Sequence, residues 1–423
     1  MKYKVPRGTR DILGKEMLIW NKVNNSIEKL AKLNNYQKIE TPVFEQTELF
    51  KRGVGETTDI VEKEMYTFDD KSQRSLTLRP EGTASVVRAF VENKLYGGRL
   101  PVKLFYNGPM FRYEKAQKGR YRQFYQFGIE ALGSEEPSLD AEVIFIGWKL
   151  LMDVGIKAEE VKVHINSVGC KECRTKYKEK LVEYYQDKLN NVCSNCQTRL
   201  DKNPLRLLDC KNESCGKLAE QAPSIFDVIC SNCNEHFEHV KVYLDIFKVP
   251  YVIDKRLVRG LDYYTQTAFE YRNQNATSTQ DAFGGGGRYN GLVEELGGPL
   301  TPSIGLAMGL DRIVLALLEK EQPQDSLEFF VACMGDDGVN RYATEIMQLV
   351  REKGYSCDKD YGKRSFKAQM RLADKCNAKR AIIVGEEELN NKTLTLKNFN
   401  KGKQEIISLE QLKQQLERGS LSV

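Results

Sequence analysis

The 423-residue sequence contains no apolar segment that approaches the roughly 20 residues needed for a membrane-spanning helix. Its N-terminal residues, MKYKVPRGTRDILG, are basic, but no apolar segment follows them as it would in a secretory signal. We therefore expect a protein with no membrane association and a cytoplasmic location.

Histidine is scarce, and two common nucleotide-binding motifs are missing. The three histidines, His164, His236 and His239, all lie in or beside a cysteine-rich segment. No histidine is left elsewhere for a Ser-His-Asp triad, which argues against a hydrolase. Neither GxxxxGK[ST] nor GxGxxG occurs in the sequence. The glycine run 284–287 does not match GxGxxG, because Tyr289 and Asn290 stand where the third glycine would be.

Excess charge of either sign is also lacking. The chain has 64 Lys and Arg against 59 Asp and Glu, a net charge of +5. This balance permits a nucleic-acid partner without demanding one, since phosphate binding depends on local basic patches. With 41% hydrophobic residues, the composition excludes wholesale disorder.

Cysteine, by contrast, is abundant and patterned. Eight of the eleven cysteines fall in close pairs. Without a secretory signal, such spacing favours metal ligands over disulfides. We predict a structural Zn²⁺ site at Cys193, Cys196, Cys210 and Cys215, and a second possible site at Cys170, Cys173, Cys230 and Cys233. Three alternatives stay open: the pairs combine across the two sets, His236 or His239 replaces a thiolate, or the thiols hold no metal.

Hydrophobic periodicity predicts an α+β chain of several domains. It indicates helices near 15–33 and 138–152, strands near 104–114 and 122–132, and a strand pair across 256–271. Residues 305–318 indicate a short strand followed by a buried helix. We predict one domain from 1–160 with 241–320, a cysteine-rich insertion at 161–240, a linker at 321–327 and a small α/β domain at 328–423.

Charged and amide side chains share faces of two neighbouring strands. Arg112 and Glu114 share one face of the first, and Gln126 and Glu130 share one face of the second. Two such strands, with the segment RLVRGLDYY at 256–264, predict a polar cleft. An arginine fork suits phosphate or carboxylate, and Arg312 in the first turn of an apolar helix opposes the helix dipole unless an anion lies nearby.

These segments together resemble the histidyl-tRNA synthetases, which are class II aminoacyl-tRNA synthetases, over essentially the whole chain. The helix and strand that end near Pro42 are similar to class II motif 1, the dimer element. Residues 108–133 resemble motif 2, and GLAMGLDRIVLAL at 305–317 resembles motif 3. RGLDYY at 259–264 and FGGGGRYNGLVEELGG at 283–298 are similar to the two histidine-specific signatures, and LTLRPEGTA at 76–84 also matches.

The resemblance implies a class II catalytic domain with an antiparallel sheet flanked by helices, the cysteine-rich insertion and a C-terminal anticodon-binding domain. It also implies L-histidine, ATP with Mg²⁺ and tRNA(His) as ligands, and a homodimer through motif 1. Histidine would be bound by Glu81, Gly82, Thr83, Arg112, Gln126, Glu130, Arg259, Tyr263 and Tyr264. ATP would be bound by Arg112, Glu114, Phe124 and Arg312, with Arg112 and Arg259 as the catalytic pair. Gln117 and Lys118 would face the tRNA acceptor end.

One residue departs from the family pattern, and two other classes of protein share some of these features. Tyr113 stands where the family commonly has histidine, which bears on acceptor-stem contact. A catalytically silent paralogue that regulates histidine biosynthesis should lack the C-terminal domain and an intact RGLDYY. A zinc-ribbon nucleic-acid-binding module should have aromatics interleaved with basic residues around the cysteines, and this segment has few.

Overall fold

A computed structural model describes residues 3–55, 58–275 and 282–419. The predicted domain ends at residues 1 and 423 therefore lie outside the described residues. The Cα positions divide the chain into two compact units. The first comprises residues 1–12 and 19–321, and the second comprises residues 13–18 and 322–423.

The described residues form fourteen α-helices and sixteen strands. The helices are α1 Lys15–Leu33, α2 Thr47–Val54, α3 Thr83–Glu92, α4 Pro137–Val154, α5 Lys171–Gln186, α6 Ser194–Lys202, α7 Glu213–Glu220, α8 Ser231–Ile246, α9 Leu292–Glu295, α10 Leu310–Leu318, α11 Asp337–Glu352, α12 Phe366–Lys375, α13 Glu386–Asn391 and α14 Leu409–Arg418. The strands are β1 Gln37–Lys38, β2 Phe44–Gln46, β3 Tyr66–Asp69, β4 Ser75–Leu78, β5 Val102–Phe111, β6 Gln123–Leu132, β7 Val161–Ser167, β8 Tyr251–Ile253, β9 Thr265–Asn273, β10 Ala282–Arg288, β11 Ser303–Gly309, β12 Phe329–Cys333, β13 Cys357–Lys359, β14 Arg380–Val384, β15 Thr393–Asn398 and β16 Gln404–Ser408.

An eight-stranded sheet forms the centre of the first unit, in the order β1-β5-β6-β11-β10-β9-β7-β8. Its neighbours pair antiparallel except at the two edges, where β1 runs parallel to β5 and β8 to β7. A smaller sheet has the order β2-β4-β3. Helices pack against the large sheet, which confirms the predicted α+β class with an antiparallel sheet.

The helices that cover this sheet follow from local sequence. In α1 the buried Trp20, Val23, Ile27 and Leu30 recur every three to four residues and form one apolar stripe. Helix α4 begins with Pro137, whose fixed φ suits a first helical position. It ends before Gly155, which has a φ of 103° and closes the helix in the left-handed conformation.

Two sequence-based boundaries differ from the structure. The predicted strand pair across 256–271 is wrong, because only β9 is a strand there and residues 254–264 form a loop. The sequence predicts an insertion that begins at residue 161, whereas residues 161–167 form β7 of the large sheet. The thiol domain, defined here as residues 169–233, therefore begins after β7 and has its own apolar core.

The second unit contains a five-stranded sheet in the order β13-β12-β14-β15-β16. Strands β13, β12 and β14 are parallel, as βαβ connections through α11 and α12 require, and β15 and β16 add antiparallel. The predicted α/β pattern of this region is confirmed. Residues 321–327 before it form no helix or strand.

Within the described residues, none of the helices combines the length and the hydropathy needed to cross a bilayer.

A fully buried ion pair joins the large sheet to its helices. Arg288 at the end of β10 binds Asp140 of α4, with Nε–Oδ distances of 3.0 and 2.9 Å and an Nη2–Oδ2 distance of 2.5 Å. Both side chains have no exposed surface. His236 of α8 lies 3.2 Å from Asp140 Oδ1, and Arg288 also donates to the carbonyl oxygens of Ser134 and Glu136. Burial alone would raise the pKa of Asp140, but the charges and hydrogen bonds of Arg288 and His236 together outweigh burial, and the pKa is lowered.

We expect Asp140→Asn to destabilise the first unit by about 3–5 kcal/mol, because it leaves the Arg288 charge buried without its counter-ion. Guanidinium unfolding followed by circular dichroism measures the change. Glu48→Gln is the matched control, since it breaks the exposed pair with Arg52 and should cost less than about 1 kcal/mol. A loss in Asp140→Asn no larger than in the control would contradict this account.

Candidate functional site

The centre of the large sheet encloses the carboxylate of Glu130. This residue lies on β6 directly opposite Gly305 of β11, where any Cβ would collide with Glu130 Oε2. Thr83 Oγ1 donates to Oε1 at 2.7 Å, and the Tyr289 hydroxyl donates to Oε2. Burial raises the pKa of Glu130 to about 8, although these two hydroxyls lower it. Among the residues that the structure describes, this buried acid thus accepts hydrogen bonds from two hydroxyl groups and forms no salt bridge.

A second buried carboxylate, Glu81, lies at the start of helix α3. Its oxygens accept from the backbone N–H of Thr83 at 2.7 Å and of Ala84 at 2.8 Å. Those groups have no partner within the helix, and the helix dipole favours an anion there. Burial nevertheless raises the pKa of Glu81. Gly82 precedes the helix and packs against Tyr106, so a side chain there would meet the ring.

Tyrosine rings form the wall beside these acids. The rings of Tyr263 and Tyr264 lie 4.7 Å apart, and Tyr289 lies 5.7 Å from Tyr263. On the strand side, the Tyr106 hydroxyl donates to Gln126 Oε1 at 3.3 Å. Burial raises the pKa of Tyr263 well above the ordinary value for tyrosine, so its hydroxyl stays protonated. Such a pocket offers carboxylate acceptors and phenolic donors to a small polar group.

Two arginines lie at the open side of this pocket. Arg112 Nε donates to Pro80 O at 2.8 Å, and its guanidinium lies 5.3 Å from the centre of the Phe124 ring. Arg259 Nη1 donates to Glu270 Oε1 at 2.8 Å, and a Cβ at Gly285 would meet its guanidinium. Both arginines line one cavity of about 260 Å³. Such a pair, with an aromatic face beside it, can bind a nucleotide phosphate and base.

The remaining predicted nucleotide residues line the same cavity. Arg312 Nη1 donates to Ala282 O at 2.6 Å. Glu114 forms an ion pair with Arg120 and is buried. The structure therefore brings together Arg112, Glu114, Phe124, Arg259 and Arg312 around one opening.

Gln117 and Lys118 are separate from that cavity, on the exposed loop between β5 and β6. Gln117 pairs with Arg120 across a tight turn, and Lys118 Nζ lies 2.9 Å from Glu319 Oε1. Tyr113 is also exposed, and its ring lies 3.9 Å from the guanidinium of Arg122. Their role toward an acceptor end stays a prediction.

Sequence reasoning assigned no role to several residues that build the site. Glu270 binds both Arg259 and Arg272, and Arg272 Nη1 donates to Asp254 Oδ2 at 2.9 Å. The Tyr106 hydroxyl donates to Gln126, and the Tyr289 hydroxyl donates to Glu130. Glycine could have indicated both tyrosines, since Gly128 lies opposite Tyr106 and Tyr289 follows the glycine run. No sequence signal pointed to Glu270.

The thiols gather into two clusters with the composition predicted from their spacing. One contains Cys193, Cys196, Cys210 and Cys215, the other Cys170, Cys173, Cys230 and Cys233, and the sulfurs of each lie within 4.8 Å of one another. Helices α5, α6 and α8 each begin directly after the first cysteine of a pair. Four thiols at this separation fit tetrahedral Zn²⁺. His236 binds Asp140 instead and belongs to neither set.

We expect Glu130→Gln to stabilise the protein at pH 8 but not at pH 5. A carboxyl with a pKa near 8 in the folded state and near 4.5 when unfolded lowers stability as pH rises between those values. Because glutamine does not ionise, the variant should gain about a few degrees in Tm at pH 8, measured by calorimetry. A Tm difference that does not change with pH would contradict the assignment of a raised pKa.

Two family models match the chain. Residues 8–313 match the model described as histidyl-tRNA synthetase, and residues 328–418 match the model described as anticodon binding domain. The second match covers the unit that a regulatory paralogue was expected to lack.

Individual proteins extend this similarity over the whole chain. The histidine–tRNA ligase of Desulforamulus reducens is 51% identical over 411 residues, which are 96% of this chain and 97% of that protein. That of Halothermothrix orenii is 49% identical, with 99% and 100% covered. The crystal structure of apo Staphylococcus aureus histidyl-tRNA synthetase has a TM-score of 0.82 at 42% identity and covers 98% of this chain and 100% of its own. On this evidence the chain belongs to the histidyl-tRNA synthetase family, whose function is the attachment of histidine to tRNA(His).

Proposed function

We propose that the chain forms histidyl-adenylate in the cavity between the buried acids and the two arginines, and then transfers histidine to tRNA. The observation that carries this proposal is the position of Tyr264, whose ring lies 5.9 Å from the Arg259 guanidinium and which also interacts with the buried Glu130 and Glu81. Acceptors for an amine and an imidazole lie at one end of the site, and cations for phosphate lie at the other.

Histidine would occupy the closed end. The carboxylates of Glu81 and Glu130, with Thr83 and Gln126, would receive the ammonium group and one imidazole N–H. Tyr264 would donate to the other ring nitrogen, and Tyr263 and Gly82 would line the pocket. These contacts require both ends of the imidazole to be paired, so they would discriminate against amino acids without a ring donor.

ATP would occupy the open end. Phe124 would stack on adenine, and Arg112 and Arg259 would hold the α-phosphate from opposite sides. The histidine carboxylate attacks the α-phosphorus in line and pyrophosphate leaves, so positioning and charge stabilisation supply the catalysis. Glu114 offers an oxygen that suits Mg²⁺, and that ion when bound would neutralise the outer phosphates, which Arg312 also contacts.

The second step uses the tRNA. Its terminal ribose hydroxyl attacks the carbonyl carbon of the adenylate, and AMP leaves. Gln117 and Lys118 would face the acceptor end. In the second unit, Lys363 and Arg364 are exposed just before α12, and Lys367 is exposed in its first turn. These side chains suit phosphate contacts near the anticodon.

The thiol clusters would hold structural Zn²⁺, which cross-links the helices that begin at each cysteine pair. All eight cysteines are free thiols and form no disulfide, which suits a reducing compartment and a cytoplasmic location. The reaction itself needs no residue from either cluster.

A homodimer through motif 1 is the quaternary structure we propose. Phe44 on β2 and Phe68 on β3 are 46% and 44% exposed, with their rings 6.3 Å apart across β4. Val43 beside them is also exposed. An exposed apolar group in the motif 1 region supports an interface with a second copy.

Exchange of labelled pyrophosphate into ATP tests the proposed reaction. Histidine, and no other standard amino acid, should support the exchange. Arg259→Ala should lower kcat by on the order of a hundredfold or more, with a smaller effect on the KM for histidine, because its charge acts on the transferring phosphate. Arg256→Ala removes an exposed arginine of the same loop and should leave kcat unchanged. Comparable exchange with another amino acid would overturn the proposal.

Element analysis tests the thiol sites. Protein purified without chelator should carry about two zinc ions per chain, and Cys173→Ser and Cys196→Ser should each lose about one. Cys376→Ser, outside both clusters, should lose none. Metal-free wild-type protein would refute the zinc assignment.

Sedimentation velocity tests the dimer. Phe44→Asp combined with Phe68→Asp should raise the dimer dissociation constant at least about thirtyfold, because it places two charges in an apolar contact. Ile406→Asp alters an apolar residue of the second unit that is even more exposed, and it should leave the dimer intact. A wild-type monomer, or a double variant that still dimerises normally, would count against motif 1 as the interface.

A further inference from the structure

The loop 254–264 carries Arg259, Tyr263 and Tyr264 but contains no helix or strand. A segment without sheet or helix hydrogen bonds depends on other groups to fix its carbonyl oxygens. Arg259 is fixed by Glu270 of β9, as described above. In the part of the loop after Gly260, the Asp262 N–H donates to Val54 O at 3.4 Å, and two further side-chain contacts come from the thiol domain.

Arg174 makes the first of these contacts. It lies in the first turn of α5, directly after Cys173. Its Nη1 atom donates to Tyr264 O at 2.8 Å and to Asp262 O at 3.3 Å. The guanidinium therefore binds the backbone on both sides of Tyr263.

Asn203 makes the second contact, from the other thiol cluster. It follows helix α6, which begins at the Cys193 pair, and its Nδ2 atom donates to Asp262 Oδ1 at 2.8 Å. Each cluster thus lies near one polar side chain that binds Asp262: Arg174 in α5 and Asn203 directly after α6. Arg199 and Arg206, from this part of the thiol domain, also pair with Asp59, at 3.4 and 3.8 Å.

We propose that the thiol domain clamps residues 262–264, and that Arg174 and Asn203 are positioning residues for the amino-acid pocket. The inference rests on the proposed function, which assigns Tyr263 and Tyr264 to the substrate histidine. Neither Arg174 nor Asn203 contacts a substrate in this scheme. Their effect is to hold the two tyrosines against the buried acids, so that the pocket is ordered before histidine binds.

This division of the loop predicts a specific kinetic signature. Loss of the clamp should weaken histidine binding more than catalysis, because Arg259 keeps its own partner on β9. It should leave ATP binding nearly unchanged, because no clamp residue lines the 260 Å³ cavity. A general folding defect would instead lower kcat and both affinities together.

Asn203→Asp is the sharpest variant, because it keeps the shape and places a carboxylate against Asp262. We expect the KM for histidine in pyrophosphate exchange to rise about tenfold or more, and the KM for ATP to change less than about twofold. Asp262→Asn alone should be mild, since Asn203 can still donate to its amide oxygen. Asn203→Asp with Asp262→Asn reverses the hydrogen bond and should restore the KM for histidine to about that of Asp262→Asn. Asn191→Asp, an exposed change in the same domain, is the control.

Hydrogen exchange followed by mass spectrometry gives a readout that does not depend on activity. Peptides that span 259–266 should exchange faster in Arg174→Met than in wild type, with partial recovery in Arg174→Lys, while Lys180→Met on the exposed face of α5 should have no effect. Unchanged exchange rates and an unchanged KM in Asn203→Asp, or a double variant that is not restored, would overturn the clamp. If wild type fails to activate histidine, the proposed function fails, and the exchange rates alone decide on the clamp.

Discussion

The carboxylate of Glu130 is enclosed in the middle of an eight-stranded sheet, and the strands around it are adapted to leave it room. Gly305 lies opposite and contributes no side chain, while Thr83 and Tyr289 donate to its two oxygens. Burial holds the pKa near 8, so the empty site contains an acid that is largely protonated at neutral pH. A bound cation or N–H donor beside this carboxyl would favour its ionised form and so lower its pKa.

This constraint explains the division of charge across the site. Acids lie at the closed end, and the half-buried Arg112 and Arg259 lie at the mouth. Arg112 packs against the Phe124 ring, and Arg259 donates to Glu270. A substrate with cationic and imidazole groups at one end and a reacting carboxylate at the other would lie across both regions. The charges at the two ends would then fix the orientation of the substrate. In this scheme the reaction needs no catalytic base.

The sequence predicted the features that depend on local geometry and missed those that depend on tertiary contacts. Period-two alternation located β6 and indicated that Gln126 and Glu130 share a face, because side-chain direction in a strand depends only on local geometry. The predicted strand pair was wrong at 256–264, where RLVRGLDYY does not alternate regularly and where Tyr264 and Asp262 bind Arg174 and Asn203 and not a neighbouring strand. Glu270 was missed because the loop before β9 folds back so that Arg259 reaches this strand, and the sequence predicts a strand pair there and not a loop.

The start of the thiol domain was also misplaced, for a related reason. Residues 161–167 adjoin the lysine-rich, cysteine-containing sequence, yet they pair with β9 in the large sheet. Spacing along the chain predicted the four close cysteine pairs but left a crossed combination open, and the structure places Cys170 and Cys173 with Cys230 and Cys233. Motifs were therefore predictable where a few neighbouring residues determine the geometry.

Calorimetric titration with histidine at pH 7, repeated in buffers of different ionisation enthalpy, tests the role of Glu130 most directly. If the carboxyl is protonated in the empty pocket and must ionise to accept an imidazole N–H, binding should release roughly one proton per histidine, and the release should decline as the pH rises past 8. Free histidine is itself mostly neutral at its ring at pH 7, so it adds little to this number. Histidine binding without proton release at pH 7 would contradict the account.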